Sequence, residues 1–511
     1  MSGPPLALRA PSVSLALRRC AIPAALTALT ALSLYLRSRQ LGAGYWIDEG
    51  ISVGIAHHHW SSIPGLLGQD GSPPAYYMLL GVWIRLFGDG ASATHTLSLL
   101  FGLACVPLAF LAGRALFDRR TGLVCAVLAA LDPFLTYYAQ ESRMYELEAF
   151  LSLVVAYAYV QGILRGRRLW AVVLVAAVDL MVYTHNWALF LCVGLAVTTV
   201  VVARERLRLF ATCAAAIAVL YLPWVPTFLG QVRHTGAPWS STPSFHSLLL
   251  APGAALAGDT AFIAFVLAAC AGLVAYVRRE RSEERTIVAA LALIVGVTVA
   301  VAWISSQISP AWTSRYFAVV VGPMLLLAAR AVVRGGRIGL VAFVIVLFLW
   351  VGYSVRDDKE DARQVTARLA RSLHPGELVV STHPEQVPVL RYYLGPGLRY
   401  ATTIGPVPDP QIFDWRDAVD RLRASSMRAR VDDAVAATPR GGEFVVVSPV
   451  FRDYRAWNAR WTRLVWKRSS AYTALLQRDP RVVLVRHVVV DEVAAKHNYF
   501  KPIQAFVYRR R

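Results

Sequence analysis

Charged residues are scarce in this sequence. Only 16% of its 511 residues are Asp, Glu, Lys or Arg, whereas 56% are hydrophobic. Because a soluble domain usually contains about 25% charged residues, this shortage indicates a chain that lies largely in a bilayer. The formal net charge of +20 does not predict nucleic-acid binding, because the basic residues cluster in short loops between apolar runs, as they do in cytoplasmic loops of membrane proteins.

Cysteine is scarce too, and glycine-rich nucleotide-binding loops are missing from the sequence. The six cysteines all lie in apolar stretches without Cys-x-x-Cys spacing, which predicts buried free thiols and neither a zinc site nor a disulfide framework. Residues 356–511 contain none, as suits an exported region without disulfides. Without a glycine-rich loop the sequence predicts no nucleotide site. We therefore predict no cofactor; a divalent metal is compatible with the sequence but is not indicated by it.

Apolar runs of roughly 20 residues, the length that crosses a bilayer, recur along the chain. They predict a polytopic, membrane all-α fold with about eleven transmembrane helices. The runs lie near residues 20–37, 92–116, 122–139, 144–164, 169–184, 186–203, 209–229, 260–277, 286–305, 316–333 and 338–355. Residues 20–355 thus form a predicted transmembrane domain, and residues 1–19 a tail that precedes it.

The arginines between the runs predict the orientation of the chain. They concentrate in alternate loops, and the positive-inside rule places such loops in the cytoplasm. The clusters are formed by Arg18, Arg19, Arg119, Arg120, Arg165, Arg167, Arg168, Arg204, Arg206, Arg208, Arg278, Arg279, Arg281, Arg285, Arg334 and Arg337. The tail is therefore predicted to be cytoplasmic. An odd number of spans then places residues 356–511 on the outer side of a cytoplasmic membrane.

Two long regions lie on the predicted outer side. The first, residues 40–91, joins the first two spans, and its Pro73-Pro74 pair predicts the start of a short interfacial helix. The second, residues 356–511, alternates helical patterns with β-rich runs, which predicts an extracytoplasmic α/β domain. Its helical patterns cover residues 362–373, 415–437 and 454–478, and its β-rich runs cover residues 377–380, 444–447 and 482–485.

Polar residues interrupt the apolar pattern on this outer side. Asp48 and Glu49 follow the first span, where the alternative to a functional role is a helix start favoured by the helix dipole. Glu141 and Arg143 share a tight turn between two spans, where the alternative is an interfacial ion pair. Ionisable groups at membrane depth are functional by default.

Two further polar residues, His185 and Arg315, map to the same face. A lone His is more often a hydrogen-bonded packing residue, and an Arg at the start of a span often snorkels to the interface. The convergence on one face outweighs these single interpretations, because a carboxylate can act as general base while arginines bind a phosphate bidentately. Such a site, with apolar walls, suits transfer from a lipid-linked phosphate.

The sequence resembles the GT-C superfamily of membrane glycosyltransferases over about residues 20–330. It is similar to the branch of the protein O-mannosyltransferases and the lipid A aminoarabinose transferase, and especially to the bacterial group that uses undecaprenyl- or decaprenyl-phosphate sugars. The motifs that carry the resemblance are Trp46-Ile47-Asp48-Glu49, Ser72-Pro73-Pro74-Ala75-Tyr76-Tyr77, Tyr138-Ala139-Gln140-Glu141-Ser142-Arg143-Met144-Tyr145, Tyr183-Thr184-His185 and Arg315-Tyr316.

The resemblance implies a polytopic GT-C fold and an inverting hexosyl- or pentosyltransferase, with Asp48 as the general base and a polyprenyl phosphate as the leaving group. The predicted catalytic carboxylates are Asp48, Glu49 and Glu141, and the predicted donor-phosphate site comprises Arg143, Arg315, Tyr145 and His185. The implied partners are a polyprenyl-phosphate-linked sugar, membrane lipid, and a glycan, lipid or protein acceptor.

The chain departs from the family pattern at two positions. Ser72 precedes the tandem proline where the family often has His, which puts a metal role of this loop in doubt. His95 stands where the second span often begins with Arg, which weakens the transfer of a phosphate contact to that position.

Two rival interpretations come from other classes of protein. A transporter or flippase of lipid-linked sugars would show repeat symmetry, which this lopsided chain lacks. A non-catalytic scaffold of envelope assembly would not need the intact set of Asp48, Glu141 and Arg143.

Overall fold

The structure of the chain, a computed structural model, describes residues 13–256, 258–277, 283–351, 359, 361–451, 458–489 and 502–511. Five sequence-based expectations lie partly or wholly outside these residues. They are the predicted cytoplasmic tail up to residue 12, the arginines at 278, 279 and 281, the last residues of the span predicted over 338–355, the domain boundary at residues 355–356, and the first residues of the helix predicted over 454–478.

The first helix and three helices of the predicted outer loop open the fold. They are α1 (Val13–Ser38), α2 (Ile47–His57), α3 (Ile63–Asp70) and α4 (Ala75–Phe87). Helix α1 begins before the predicted span at residue 20, because Leu, Ala and Arg are good helix formers and extend it beyond its apolar part. Helix α3 ends at Gly71, whose φ of +96° is the left-handed conformation that glycine adopts at helix ends. Helix α4 follows the tandem proline, as predicted.

Helices occupy all of the remaining predicted spans. They are α5 (Ala91–Leu116), α6 (Arg119–Leu131), α7 (Pro133–Tyr138), α8 (Tyr145–Tyr159), α9 (Arg168–Val182), α10 (Ala188–Val202), α11 (Leu207–Tyr221), α12 (Val225–His234), α13 (Phe245–Leu249), α14 (Ala251–Ala255), α15 (Asp259–Val277), α16 (Glu283–Ile308), α17 (Ala318–Arg334) and α18 (Gly336–Val351). Asp132 and Pro133 divide the predicted span 122–139 into α6 and α7, because proline disfavours helical backbone at the preceding residue.

Six helices in the described ranges are long and apolar enough to cross a membrane. They are Ala21–Ser38, Ala91–Leu116, Tyr145–Leu164, Arg204–His234, Glu283–Ile308 and Ser314–Arg334. Four shorter apolar helices accompany them: Ala75–Phe87, Ala188–Val202, Asp259–Gly272 and Gly336–Val351. The chain is therefore an integral membrane protein, while the count of about eleven spans stays a prediction.

The C-terminal residues form helices around a six-stranded mixed sheet. The helices are α19 (Ala362–Ala370), α20 (Val387–Leu394), α21 (Ala418–Ala424), α22 (Met427–Ala436) and α23 (Arg460–Gln477). The strands are β1 (Leu378–Ser381), β2 (Arg399–Thr402), β3 (Pro406–Val407), β4 (Glu443–Pro449), β5 (Val482–Val489) and β6 (Ile503–Arg510). They lie in the order β3-β2-β1-β4-β6-β5, with β1 parallel to β2 and β4 and the other pairs antiparallel.

Helix α2 connects this sheet region to the membrane helices. One continuous apolar core runs from the membrane helices through α2 to one face of the sheet, and α22 and α23 pack on the other face. Two glycines allow the close contact: a Cβ on Gly50 would lie 2.7 Å from the Val389 Cβ, and one on Gly54 would overlap the Gln411 carbonyl oxygen. The C-terminal residues thus fix the position of the helix that carries Asp48.

Candidate active site

A cavity of about 1460 Å³ lies where α2 meets the α7–α8 turn, the α9–α10 turn and the start of α17. Six predicted site residues line it: Asp48, Glu141, Arg143, Tyr145, His185 and Arg315. Apolar and aromatic side chains form an adjoining wall: Phe134, Tyr137, Leu189, Phe190 and Phe317. A cavity with apolar walls and a few convergent polar groups is the usual form of a ligand site.

The Asp48 carboxylate lies between two arginines on the cavity wall. Its Oδ2 is 3.5 Å from Nη2 of Arg315 and 3.9 Å from Nη2 of Arg143. Both distances exceed those of a normal N–H···O hydrogen bond, so these are loose ion pairs. The carboxylate side chain keeps 21% of its surface exposed. The two guanidinium groups can therefore bind an anion without breaking a tight contact with Asp48.

Other side chains hold the two arginines in place. Nη1 of Arg143 donates to Ser52 Oγ at 2.8 Å and to the Tyr77 hydroxyl at 3.2 Å. The guanidinium of Arg315 lies 5.6 Å from the ring centroids of both Trp46 and Tyr316. Aromatic faces attract a cation and limit its movement.

The aromatic side chains of Tyr145 and His185 lie on the cavity wall next to Arg143 and Arg315. The Tyr145 hydroxyl accepts a hydrogen bond from Arg143 at 3.4 Å, and the His185 ring lies 4.7 Å from the Tyr316 ring. Burial, together with the charges of Arg143 and Arg315, lowers the pKa of His185 to about 3. The Trp187 backbone N–H donates to His185 Nδ1 at 3.2 Å, which leaves the proton of the neutral ring on Nε2.

Glu141 presents a carboxyl group without a hydrogen-bond partner among the described residues. The side chain is fully buried yet lies on the cavity wall. Burial raises the pKa of Glu141 to about 7, although Lys359 opposes the shift. A carboxyl group with a pKa near 7 can transfer protons at neutral pH, and its charge changes there.

Glu49 is the one predicted site residue that is not on the cavity wall. It lies one position after Asp48, and successive residues of a helix point in different directions. Its Oε1 accepts hydrogen bonds from the Ser142 backbone N–H at 2.7 Å and from Lys359 Nζ at 2.9 Å, and His95 Nε2 lies 2.7 Å away. Burial opposes ionisation, but Lys359 and His95 outweigh it and hold the pKa of Glu49 at about 2.

Several cavity residues were not predicted from the sequence. Lys359 reaches Glu49 and the Gln140 carbonyl oxygen from beyond the last span; its only sequence signal is that it is one of four lysines in an arginine-rich chain. Asp70 lies in the first outer loop, where the Tyr77 hydroxyl donates to it at 3.3 Å. The C-terminal residues contribute Glu385, Trp415 and Thr462. No pattern in the sequence connects these residues with the motifs.

The two departures from the family pattern have different surroundings. His95 contacts Glu49 and the Leu41 carbonyl oxygen and does not line the cavity, whereas Ser72 does. Within the described ranges, no group of three or more His, Cys, Asp or Glu side chains is arranged to hold a metal ion.

Comparison with known proteins relates this architecture to membrane transferases. No protein-family model and no curated protein sequence matches the chain. ArnT from Cupriavidus metallidurans in the apo state is 15% identical, with 95% of this chain and 98% of that chain covered and a TM-score of 0.58. The same protein bound to undecaprenyl phosphate gives 15% identity, 94% and 97% coverage and a TM-score of 0.59.

A third structure comes from an archaeon. The oligosaccharyltransferase AglB from Archaeoglobus fulgidus, in complex with an inhibitory peptide and a dolichol-phosphate, is 10% identical, with 85% of this chain and 70% of that chain covered and a TM-score of 0.54. Identities this low establish the fold alone. The chain thus has the fold of ArnT and AglB, the GT-C fold that its sequence motifs resemble.

Proposed function

We propose that this protein is an inverting glycosyltransferase that moves a sugar from a polyprenyl-phosphate donor to a hydroxyl acceptor on the outer face of a cytoplasmic membrane. The observation that carries the proposal is the position of Asp48 between Arg143 and Arg315 on the wall of a large cavity. A carboxylate beside two arginines supplies a base and an anion site in the same place.

The donor phosphate binds to the two arginines. A phosphodiester oxygen replaces the loose contacts of Asp48, and the planar guanidinium groups match its geometry. The apolar wall that contains Phe134, Leu189 and Phe190 accommodates the polyprenyl chain. Undecaprenyl phosphate in ArnT and dolichol-phosphate in AglB are lipids of this chemical class.

The chemical step is a single displacement. The acceptor oxygen forms a bond to C1 of the sugar while the bond between C1 and the phosphate oxygen breaks. The electron pair of the broken bond leaves with the polyprenyl phosphate, and Asp48 accepts the proton of the acceptor hydroxyl. Because a phosphate ester is already a good leaving group, the enzyme contributes mainly positioning and charge stabilisation.

The two glutamates have separate roles in this proposal. Glu49 positions Asp48, since its hydrogen bonds join the start of α2 to the α7–α8 turn. Glu141 lies on the cavity wall and tunes the charge near the donor phosphate. Tyr145 and His185 complete the wall around the arginines.

The domain arrangement and orientation stay as predicted from the sequence. We place the tail at residues 1–19 in the cytoplasm, the catalytic domain at residues 20–355 in the membrane, and residues 356–511 outside. The arginine-rich loops support this orientation.

Transfer from radiolabelled polyprenyl-phosphate sugars by the purified protein tests the proposal. Asp48→Asn should fold normally and lose roughly a hundredfold or more in rate, the usual size of a general-base contribution. The matched control is Asp89→Asn, which changes a half-exposed carboxylate of the same outer loop that lies off the cavity and contacts His57.

Arginine variants test the phosphate site in the same assay. Arg143→Lys and Arg315→Lys keep the charge but lose the planar fork, so donor binding should weaken in both. An Asp48→Asn variant that works at the parent rate would end the role of Asp48. A parent protein that moves intact donor across vesicles without transferring sugar would instead identify a flippase.

A further inference from the structure

Half of the net positive charge of the chain lies in its C-terminal residues. Residues 356–511 contain 27 Lys and Arg against 17 Asp and Glu, a net charge of +10 out of the total of +20. The positive-inside rule applies to short loops, so it does not account for a surplus in a region of this length. A strong charge of one sign indicates an oppositely charged partner.

Helix α23 (Arg460–Gln477) carries cations without any acid. Its 18 residues include three arginines and one lysine but no Asp or Glu, whereas α21 and α22 contain residues of both signs. Arg463 and Lys467 are exposed and have no ion pair among the described residues. Arg460 is 63% exposed and lies 3.7 Å from Asp420, a loose contact. Like charges four residues apart destabilise a helix, so this arrangement does not serve the stability of α23.

An exposed tryptophan lies beside these cations, close to the cavity. Trp466 is 44% exposed and lies one turn, or about 6 Å, beyond Thr462, which lines the cavity. The Trp461 N–H donates to the Pro238 carbonyl oxygen at 3.1 Å, so α23 begins at the cavity wall. We call the exposed side chains of Arg460, Arg463, Trp466 and Lys467 the basic face of α23. This face begins beside the cavity and leads away from it.

The packing of α23 turns its basic face away from the membrane helices. Tyr472 and Leu476 pack on one face of the sheet, and the opposite face joins the apolar core of the membrane helices. At 100° per residue, these buried side chains lie on the side of α23 opposite Arg463 and Lys467. The basic face is therefore directed away from the lipid, which favours a polymer outside the membrane over the bilayer surface as its partner.

We infer that the basic face of α23 binds an anionic polymer with repeated carboxylate or phosphate groups. Arg460 and Lys467 are separated by about 10 Å along the helix, so the face can contact several anionic groups of an extended chain at once. Guanidinium groups bind carboxylates and phosphates bidentately, and Trp466 offers an apolar ring to the polymer backbone. A polymer on this face is held next to Thr462 at the cavity. The inference goes beyond the proposed function and does not depend on it.

Binding of polyanions to the full-length protein in phosphatidylcholine nanodiscs tests the inference. The probes are oligogalacturonate, which repeats carboxylates, and inorganic polyphosphate; uncharged dextran is the negative probe, and thermophoresis gives the Kd. At least one polyanion should bind, dextran should not, and the Kd should rise with salt concentration. Arg463→Gln with Lys467→Gln should raise the Kd about tenfold. Trp466→Ala should raise it about threefold. Binding of one polyanion without the other identifies the charged group.

The matched control removes two other exposed cations of the same region. Arg371→Gln with Arg440→Gln changes the net charge equally, outside α21 and α23, and should leave the Kd nearly unchanged. A parent that binds neither polyanion, or equal effects of the two double variants, would overturn the inference. So would a parent that binds anionic-lipid vesicles through Arg463 and Lys467 but neither polymer, which would identify a membrane-binding face. No donor is present, so none of these results depends on sugar transfer. Thermal unfolding of each variant shows whether it is folded.

Discussion

The pair of Glu49 and Lys359 gives the sharpest test of how the site is held together. Glu49 has no exposed surface, and Lys359 Nζ lies 2.9 Å from its Oε1 and 3.0 Å from its Oε2. Glu49→Gln preserves the shape of the side chain and removes its charge. Among the described residues, the buried Lys359 ammonium then has no negative partner in direct contact, so the variant should be strongly destabilised.

The expected cost follows from the contacts that remain. Removing one partner of a buried ion pair costs about 3–5 kcal/mol. The Gln140 carbonyl oxygen still accepts a hydrogen bond from Lys359, so we expect a cost near the lower end, about 3 kcal/mol. Replacing both partners, as in Glu49→Gln with Lys359→Met, removes the unpaired charge and should recover most of the stability.

Unfolding of the purified variants in detergent, followed with temperature, measures this effect. The control is Glu443→Gln, whose partner Arg509 is half-exposed and whose loss should cost less than about 1 kcal/mol. The transfer rate of the double variant should return together with its stability. The reasoning is refuted if Glu49→Gln unfolds like the parent but is inactive, because Glu49 would then act in the chemistry itself.

Three further predictions concern the charge, packing and orientation of the chain. Burial raises the pKa of Glu141 to about 7, so its carboxyl group is neutral below that pH and anionic above it. Because an anionic Glu141 repels the phosphate, the Kd of a phosphodiester donor should rise as the pH increases through 7. Glu141→Gln should flatten this profile. A pH-independent Kd in the parent would contradict the assignment. Gly54→Ala should destabilise the protein by about 1–3 kcal/mol, because the added Cβ overlaps the Gln411 carbonyl oxygen. Gly65→Ala is the control, because open space surrounds that position. Equal unfolding temperatures for the two variants would exclude the close contact at Gly54. Alkaline phosphatase fused after residue 400 should be active, and an inactive fusion would reverse the predicted orientation.

The helix positions could be predicted from the sequence because each depends on a local property. A run of apolar residues specifies a helix in a bilayer whatever its neighbours are, and a helix lies at each predicted run. The strands were predicted less completely. The runs at 377–380, 444–447 and 482–485 correspond to β1, β4 and β5, whereas β2, β3 and β6 were not predicted. The pairing of β6 (Ile503–Arg510) with β4 and β5 joins distant parts of the chain.

Most residues of the candidate site could also be predicted to lie together from the motifs and the arginine pattern. Asp48 lies in the first outer loop, and Glu141, Arg143, His185 and Arg315 lie beside the ends of apolar runs. All five map to the same predicted face and line one cavity. The predicted membrane topology places all of these residues at the outer surface of the membrane, so it already restricts how far apart they can lie.

Only the tertiary structure decided what each residue in that layer contacts. A helix start at Asp48 and Glu49 was one of two interpretations of the sequence. The packing of α2 determined that Asp48 faces the cavity while Glu49 contacts His95 and Lys359. No sequence pattern indicated that Lys359, Glu385 and Trp415 reach the same cavity. Composition and periodicity predict which residues face water and which face lipid or the protein interior. The contacts among distant segments depend instead on how whole helices and strands pack, which is a property of the folded chain.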